Sequence, residues 1–526
     1  MTRRLATQRI AKGLCIALTC LVLSAAATAR SATGRLEIVV VDRDSGQPIA
    51  CRMHLVNAAG RPRKPKRAPY WHDHFVFPGK ITLDLPLGNY TFDVERGPEY
   101  ATMSGHFQID NFADDSQQIE LRRFVDMSAD GWWSGDLDVR RPVADVELLM
   151  QADDLHVAQV VTWPDAAMGK LPEDPPEDPL VRFGENSCYH VMAGAHHRAG
   201  TELLLLNLRA PLKRAGLPAP GKVTGEYPPP LAYATAVRKE PGGWVDLTKP
   251  FWWDLPMLVA HGQVDSIQLA HSHLCRKTAI NNEADGKPRD KFRYPPPRGN
   301  ARWSQQIYFN LLESGLRIPP TAGSGSGVAP NPVGYNRVYV HVDDVHEKGP
   351  LDYGKWWENL RAGRVVVTNG PLMRPSVRGE LPGHVFRENE GAEPEFEIAL
   401  TLSTRKPISY LELIKNGRIE HSISFEDYSK SGRLPKLRFQ QSGWFLVRAV
   451  TDLPKTYRFA MTGPYYVEIG DRRRISKQAA QFFLDWVYER AKQIKLSDPK
   501  QHREVLGYHR QARDFWQDRV QRATAE

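Results

Sequence analysis

The sequence predicts a multidomain α/β plus β protein, and three observations carry that reading. Short runs of alternating apolar and polar residues occupy the front and the tail. The middle instead alternates strand-like with helix-like segments. At 526 residues the chain is long enough for three or four separate cores.

In the front, Leu36, Ile38 and Val40 alternate with Glu37, Val39 and Val41, and a turn follows at Asp44-Ser45-Gly46. Runs at Ile81–Leu85 and Asn89–Val94 are separated by Pro86-Leu87-Gly88. Short period-two runs with turn residues between them indicate a small β-sandwich over residues 33–125. In the middle, Val143, Val146, Leu149, Met150 and Leu155 fall at helical spacing, and a buried-strand pattern, Val157–Thr162, follows. The rhythm recurs as a helix near Leu255–His261 before the strand Asp265–Ala270, then a helix at Ser304–Ser314. Gly354–Ala362 before Val365–Thr368 repeats it once more. Strands alternating with helices imply a parallel sheet or barrel, here over 126–385, with ligand groups at its strand ends. Pro-rich connections at Leu171–Pro179 and Tyr294–Gly299 are of the kind that form lids or binding loops. Strands return at Glu395–Leu402, Tyr410–Lys415 and Trp444–Val450, which defines a β module over 386–472. Asn416-Gly417 marks a hairpin there. Past Arg474 the chain turns helical, with Phe482, Phe483, Trp486 and Val487 on one face, so residues 473–526 form C-terminal helices.

Residues 1–29 have the parts of a secretory signal peptide: Arg3, Arg4, Arg9 and Lys12, an apolar run from Leu14 to Leu23, and Ala27-Thr28-Ala29. The run falls short of the roughly 20 apolar residues that span a bilayer. A secreted or periplasmic protein is expected, with no stable membrane span after cleavage. Cleavage removes four basic residues and no acidic ones, leaving 66 basic against 61 acidic. So small an excess argues against a nucleic-acid partner, and the basic run Arg61–Arg67 is interleaved with proline and reads as a solvated loop. Cys51, Cys188 and Cys275 allow at most one disulfide and no zinc ribbon. The sequence leaves the oligomeric state open.

Five phrases of the middle fall in a familiar order: Gly131–Asp136 (GWWSGD), Pro250–Pro256 (PFWWDLP), Asp265–Ile267, Gly315–Val340 and Leu360–Pro371 (LRAGRVVVTNGP). With Trp71-His72-Asp73-His74 and Glu95–Tyr100 in front, they resemble the CehA/McbA-type metallohydrolases of the PHP (polymerase and histidinol phosphatase) superfamily. The stretch Gly34–Glu95 itself is similar to carboxypeptidase-regulatory-like β modules. The resemblance implies a distorted (β/α)7 PHP-like barrel, flanked by the N-terminal β-sandwich and by the C-terminal β module with its terminal helices. It also implies hydrolysis of an ester or phosphoester by a cluster of divalent metals.

The motifs depart from that pattern at three points. Where the resemblance implies His-x-His after Gly135-Asp136, the chain has Asp138 and Arg140. Where it implies Ser-Asp-Ser, the chain has Ser324-Gly325-Ser326, and Thr162-Trp163-Pro164 replaces a Thr-Asp-His-like strand end. His273 keeps its place, and His271 shares its strand face two residues away. Asp136, Asp138 and Arg140, at i, i+2 and i+4, form a polar row on one face of a strand and are the candidate catalytic residues. Arg140 is expected to set a permanent positive charge where a metal would sit; an ordinary ion-paired strand end is the bland alternative. His271 and His273 are the candidate metal ligands for at most one divalent ion (Zn, Mn or Fe), though two histidines alone do not complete a site. His72 and His74 share that spacing and read as interface anchors or as a loop contribution to the pocket. Trp253, Asn336, Arg337 and Asn369 are the candidate substrate-binding residues. Trp253 would stack on a sugar or aromatic ring and Arg337 would meet an anionic group. Two functions follow: an exported PHP-type hydrolase acting on a small-molecule ester or phosphoester with a reduced or lost metal centre, or a non-catalytic periplasmic or extracellular protein that recognises a glycan or surface ligand through the barrel pocket and β modules.

Overall fold

The computed structural model describes residues 33–526 apart from 112, 165–175, 199, 213–224, 344–349 and 471. The signal peptide expected over 1–29 and the greater part of the Leu171–Pro179 connection lie outside the described residues.

In the front, β1 (Thr33–Asp42), β2 (Cys51–Asn57), β3 (Tyr70–Trp71), β4 (His74–Phe77), β5 (Lys80–Pro86), β6 (Gly88–Glu95), β7 (Met103–Ile109) and β8 (Asp114–Leu121) form two sheets, ordered β5-β1-β8 and β3-β4-β2-β6-β7. Period two decides which face is inside. Leu36, Ile38 and Val40 are buried while Arg35, Glu37 and Val39 are not, and the buried set packs against Met53, Leu55, Phe75 and Val94 of the other sheet.

The middle contains β9 (Trp132–Val139), α1 (Val143–Asp153), β10 (Val157–Pro164), β11 (Leu180–Phe183), β12 (Ser187–Arg198), β13 (Thr201–Leu206), α2 (Pro230–Val237), β14 (Trp244–Leu247), α3 (Leu255–Ala260), β15 (Ser266–Ala270), α4 (Gly299–Glu313), β16 (Pro320–Ala322), β17 (Arg337–His341), α5 (Tyr353–Arg361) and β18 (Val365–Thr368). Seven strands follow one another in the order β16-β15-β14-β13-β12-β10-β9. All are parallel to their neighbours except β13, which runs against both of its own. The two ends of the row meet. Gly325 N donates to Asp138 O at 2.9 Å and Arg140 N to Ser326 O at 2.8 Å, and Val139 and Ser326 form a parallel bridge. Leu137, Val161, Leu203, Leu205, Leu247 and Ile267 of these strands belong to the main buried core.

The tail comprises β19 (Leu372–Val377), β20 (Val385–Glu388), β21 (Glu395–Phe396), β22 (Ile398–Ser403), β23 (Ile408–Lys415), β24 (Arg418–Ser424), α6 (Phe425–Ser431), β25 (Leu437–Arg438), β26 (Gly443–Thr451), β27 (Phe459–Thr462), β28 (Tyr465–Ile469), α7 (Lys477–Gln493) and α8 (Pro499–Gln521). The large sheet runs on from β9 through β17, β18, β27, β26 and β23 to β24. The tail's core likewise includes Trp132, Tyr339 and Val366 from the middle beside Leu411, Val447 and Tyr465. Sheet and core thus pass through the boundary that the sequence reading puts at 385/386. Ser476 and Asp498 cap α7 and α8 by accepting backbone N–H groups. Phe483 stacks on Trp516 at 4.6 Å between the two helices, and Trp516 Nε1 donates to Pro256 O at 2.9 Å.

The loop that closes the β3–β4 hairpin faces the middle. Trp71 Nε1 donates to Ala329 O at 2.7 Å, and Arg141 lies 5.3 Å over the Trp71 ring. At the junction itself Glu99 accepts Met127 N at 2.9 Å, and Arg123 pairs with Asp154 at 2.7 Å.

Candidate functional site

The polar row at the end of β9 is present, but its members do different things. Asp136 is fully buried and turns into the backbone of the closing loop. Its Oδ1 accepts Asp138 N at 3.0 Å and Ser324 N at 2.9 Å, and its Oδ2 accepts Gly334 N at 2.7 Å. Burial pushes its carboxyl up to about 7, against the pull of those amide donors. Asp136 therefore stitches β9 to the segment after β16.

Asp138 and Arg140 form a two-pronged ion pair, Nε to Oδ1 at 2.6 Å and Nη2 to Oδ2 at 3.3 Å. The same Nη2 reaches Glu202 Oε1 on β13 at 2.7 Å. Glu202 Oε2 in turn accepts Thr248 Oγ1 at 2.9 Å and Lys249 Nζ at 3.0 Å, just beyond β14. The side chains of Asp138, Arg140, Glu202 and Lys249 are 2%, 11%, 9% and 8% exposed, so two cations and two anions cancel inside the molecule. Burial works against the charge of Arg140, and Asp138 and Glu202 more than offset it, raising its pKa. Burial likewise opposes ionisation of Glu202, but Lys249 and Arg140 hold it well below the usual carboxylate range. Glu202 and Lys249 play no part in the sequence reading.

His271 and His273 lie beside this network without completing a ligand set. His271 Nδ1 accepts His273 N at 3.3 Å and its Nε2 meets Ser304 Oγ at 3.1 Å, so both of its ring nitrogens are occupied by the protein. Burial holds His271 well below the usual imidazole range and pushes His273 down to about 3. Gly325 has a left-handed backbone, φ +60°, and a Cβ there would come within 2.7 Å of Ser272 Cβ. An aspartate does not fit at 325 without a backbone shift. With two buried cations in place, one imidazole fully engaged and no room for a carboxylate at 325, these residues do not fit the divalent cluster that the family resemblance implies.

The candidate substrate-binding residues are spread over the molecule. Asn336 is fully buried and its Nδ2 donates to His271 O at 3.0 Å, clipping the loop after β15. Arg337 is 1% exposed; its Nε donates to Gly334 O at 2.6 Å and its Nη2 to Asp153 O at 3.0 Å, at the end of α1. Asn369 bridges to the tail, donating to Tyr457 O at 3.0 Å and accepting Phe459 N at 2.9 Å. Trp253 packs edge-on against Trp486 at 6.3 Å with Lys287 5.5 Å over its ring. Each of the four is engaged with other parts of the chain.

Among the described residues, one group has metal-ligand geometry, and it lies in the front module. His54, Asp73 and His74 are all buried, and one ligand atom from each lies within 4.8 Å of the others. Asp73 Oδ1 is 3.3 Å from His54 Nδ1 and 3.2 Å from His74 Nδ1, while Lys277 Nζ holds Asp73 Oδ2 at 2.7 Å. Burial lowers both imidazole pKa values, that of His74 to about 3, which leaves the rings neutral. The interface reading of this hairpin overlooked His54 because it is distant in sequence.

A second feature is a groove of about 660 Å3 between β5 and the 62–67 loop. Arg35, Arg63, Lys64, Lys66 and Arg67 line it against the single carboxylate of Asp84.

No protein-family profile matches the chain, and no curated protein does. Among solved structures, the Bacillus anthracis TIE protein is similar at 21% identity and TM-score 0.15 over 22% of this chain, which spans 20% of that one. A streptococcal ancillary pilin is similar at 21% identity and TM-score 0.16, over 21% of this chain and 38% of the pilin. The fibronectin(III)-like modules of Clostridium thermocellum CbhA match 19% of this chain at 8% identity and TM-score 0.14, with 98% of the modules covered. By its own secondary structure the chain is a mixed α/β, strand-rich protein of several sheets.

Proposed function

We propose that this chain is an exported, non-catalytic binding protein: a CehA/McbA-like PHP barrel that has exchanged its metal centre for an internal ion network, with an anionic glycan as ligand. The observation that carries the reading is the buried Asp138–Arg140–Glu202–Lys249 network. A divalent ion entering there finds both carboxylates already paired, Asp138 with Arg140 and Glu202 with Arg140 and Lys249, and has to displace a buried cation to reach them. The left-handed Gly325 adds a steric barrier at the position of the expected aspartate. The ligand class rests on the front-module groove, whose five cations face one carboxylate along β5, an edge strand of its sheet.

Carboxyester and phosphoester substrates are expected to show no turnover with added Zn2+, Mn2+ or Fe2+. A polyuronate or sulfated glycan is expected to bind by calorimetry, weakly at high salt, and to be released when Arg63, Lys64, Lys66 and Arg67 are changed together to serine. Chelator-sensitive hydrolysis that disappears in a His271→Ala/His273→Ala variant overturns the lost-metal half of the reading. Binding that ignores the fourfold change overturns the glycan half.

A further inference from the structure

We infer that His54, Asp73 and His74 form a binding site for one zinc-class divalent ion, at the contact between the front module and the middle of the chain. The site is built by local geometry. β2 and β4 pair antiparallel in the register Cys51↔Phe77, Arg52↔Val76 and Met53↔Phe75, and extending it by one residue sets His54 opposite His74. Cross-strand neighbours of this kind bring their side chains together on one face, and the two rings stand 5.2 Å apart. The β3–β4 turn supplies the third group. His72 takes a positive φ of 49° there, and Asp73, 8% exposed, has its carboxylate against both rings.

The distances fit a ligand set and lie at the long limit of hydrogen bonds. Metal–ligand bonds of about 2.0–2.1 Å in a tetrahedron separate neighbouring ligand atoms by about 3.3–3.4 Å. Asp73 Oδ1 lies 3.3 Å and 3.2 Å from the two Nδ1 atoms. A hydrogen bond from a neutral imidazole N–H spans about 2.7–3.2 Å, so the two contacts sit at or just beyond the long end of that range. The His54 ring is also short of partners. It is 5% exposed, its buried Nε2 has none among the described residues, and its Nδ1 has only the long approach to Asp73. Two neutral imidazoles and one carboxylate are the ligand types of a three-residue zinc site, with the fourth position left for water.

Charge tells against the ion from one side. Lys277 pairs with Asp73, and Arg276 and Arg52 lie close by, although Glu95 pairs with both arginines. Arg52 also pairs with Asp153 and Arg276 with Asp93, so these guanidiniums are matched. Lys277 is different. Its side chain is 61% exposed and free to swing into water, so it competes with the ion for Asp73 without blocking the site sterically. The ion would then fasten the β3–β4 hairpin, the segment that carries the Trp71 contact to Ala329.

The test is a titration of metal-free, full-length protein with Co2+ and Zn2+, read by the visible absorption of tetrahedral cobalt and by calorimetry. One equivalent is expected to bind. Asp73→Asn and His54→Asn should each weaken binding about tenfold or more, and Lys277→Gln should tighten it roughly two- to fivefold by removing one exposed competitor. His271→Ala should change neither signal. Circular dichroism checks that each variant is folded. Should the buried substitutions unfold the chain, the exposed Lys277→Gln decides the matter. No tetrahedral cobalt spectrum in the parent protein, unchanged binding in folded Asp73→Asn, or no gain in Lys277→Gln overturns the assignment.

Discussion

Arg140 is clamped between Asp138 and Glu202 with little contact to water, so its removal strands two buried carboxylates beside one remaining cation. Arg140→Met is expected to cost about 3–5 kcal/mol in urea unfolding. Adding Asp138→Leu should recover part of that, because Glu202 and Lys249 then balance each other; a double variant no more stable than the single would show that the pair is uncoupled. Asp136→Asn exchanges an acceptor for an amide donor against three backbone N–H groups. A loss of about 1–3 kcal/mol is expected, read as a lower melting temperature with glycan binding unchanged. The row Asp136, Asp138, Arg140 was legible in the sequence because strand periodicity is local. Glu202 and Lys249 were not: Glu202 reaches Arg140 from β13, with β10 and β12 between it and β9 in the row, and Lys249 joins through Glu202 from just beyond β14. Arg337 stands at the start of β17, and Gly334 O and Asp153 O take its donors.

At the scale of elements, the α7–α8 pair is joined by its aromatic seam. Phe483, Trp486 and Trp516 are buried there, and Trp516 also ties α8 to α3 through Pro256. Trp516→Ala is expected to cost about 3–5 kcal/mol, the range for emptying a large core site. A loss of unfolding free energy in urea below about 0.5 kcal/mol, the size of an ordinary surface change, would show the seam to be dispensable. The apolar stripe of α7 was legible from its helical spacing. So was the β23–β24 hairpin: Asn416 and Gly417 both take positive φ, and the register closes Lys415 on Arg418 with two residues between. The β12–β13 pair was not. Leu203–Leu206 is a continuous apolar run, and such a run has no period to distinguish a buried strand from a piece of helix.

Over the whole molecule, acid is expected to loosen the fold. Among the described residues nine histidines are held below their usual pKa by burial: His54, His74, His156, His190, His196, His271, His273, His341 and His509. Each takes up a proton in the unfolded chain as pH falls through about 6.5 and in the folded one only at lower pH, so stability drops. Five carboxyls raised by burial (Glu99, Asp136, Glu226, Asp246 and Glu313) act in the opposite sense over the same range. Nine against five leaves a net loss between about pH 6.5 and 4.5, and a urea midpoint higher at pH 5 than at pH 7.5 would contradict it. The mixed α/β, strand-rich character was legible from the change of period along the chain. The join was not, because a sheet that crosses a boundary is made by pairing between β18 and β27, far apart in sequence. That continuous sheet has a mechanical consequence. A load along strands that share one sheet must shear many backbone hydrogen bonds at once, whereas the front module meets the rest largely through side chains such as Arg123, Trp71 and Lys277. Pulled from its two ends in a force spectrometer, the protein should yield first at the front, in a small step at low force. The middle and tail should then rupture together as a single, stiffer body.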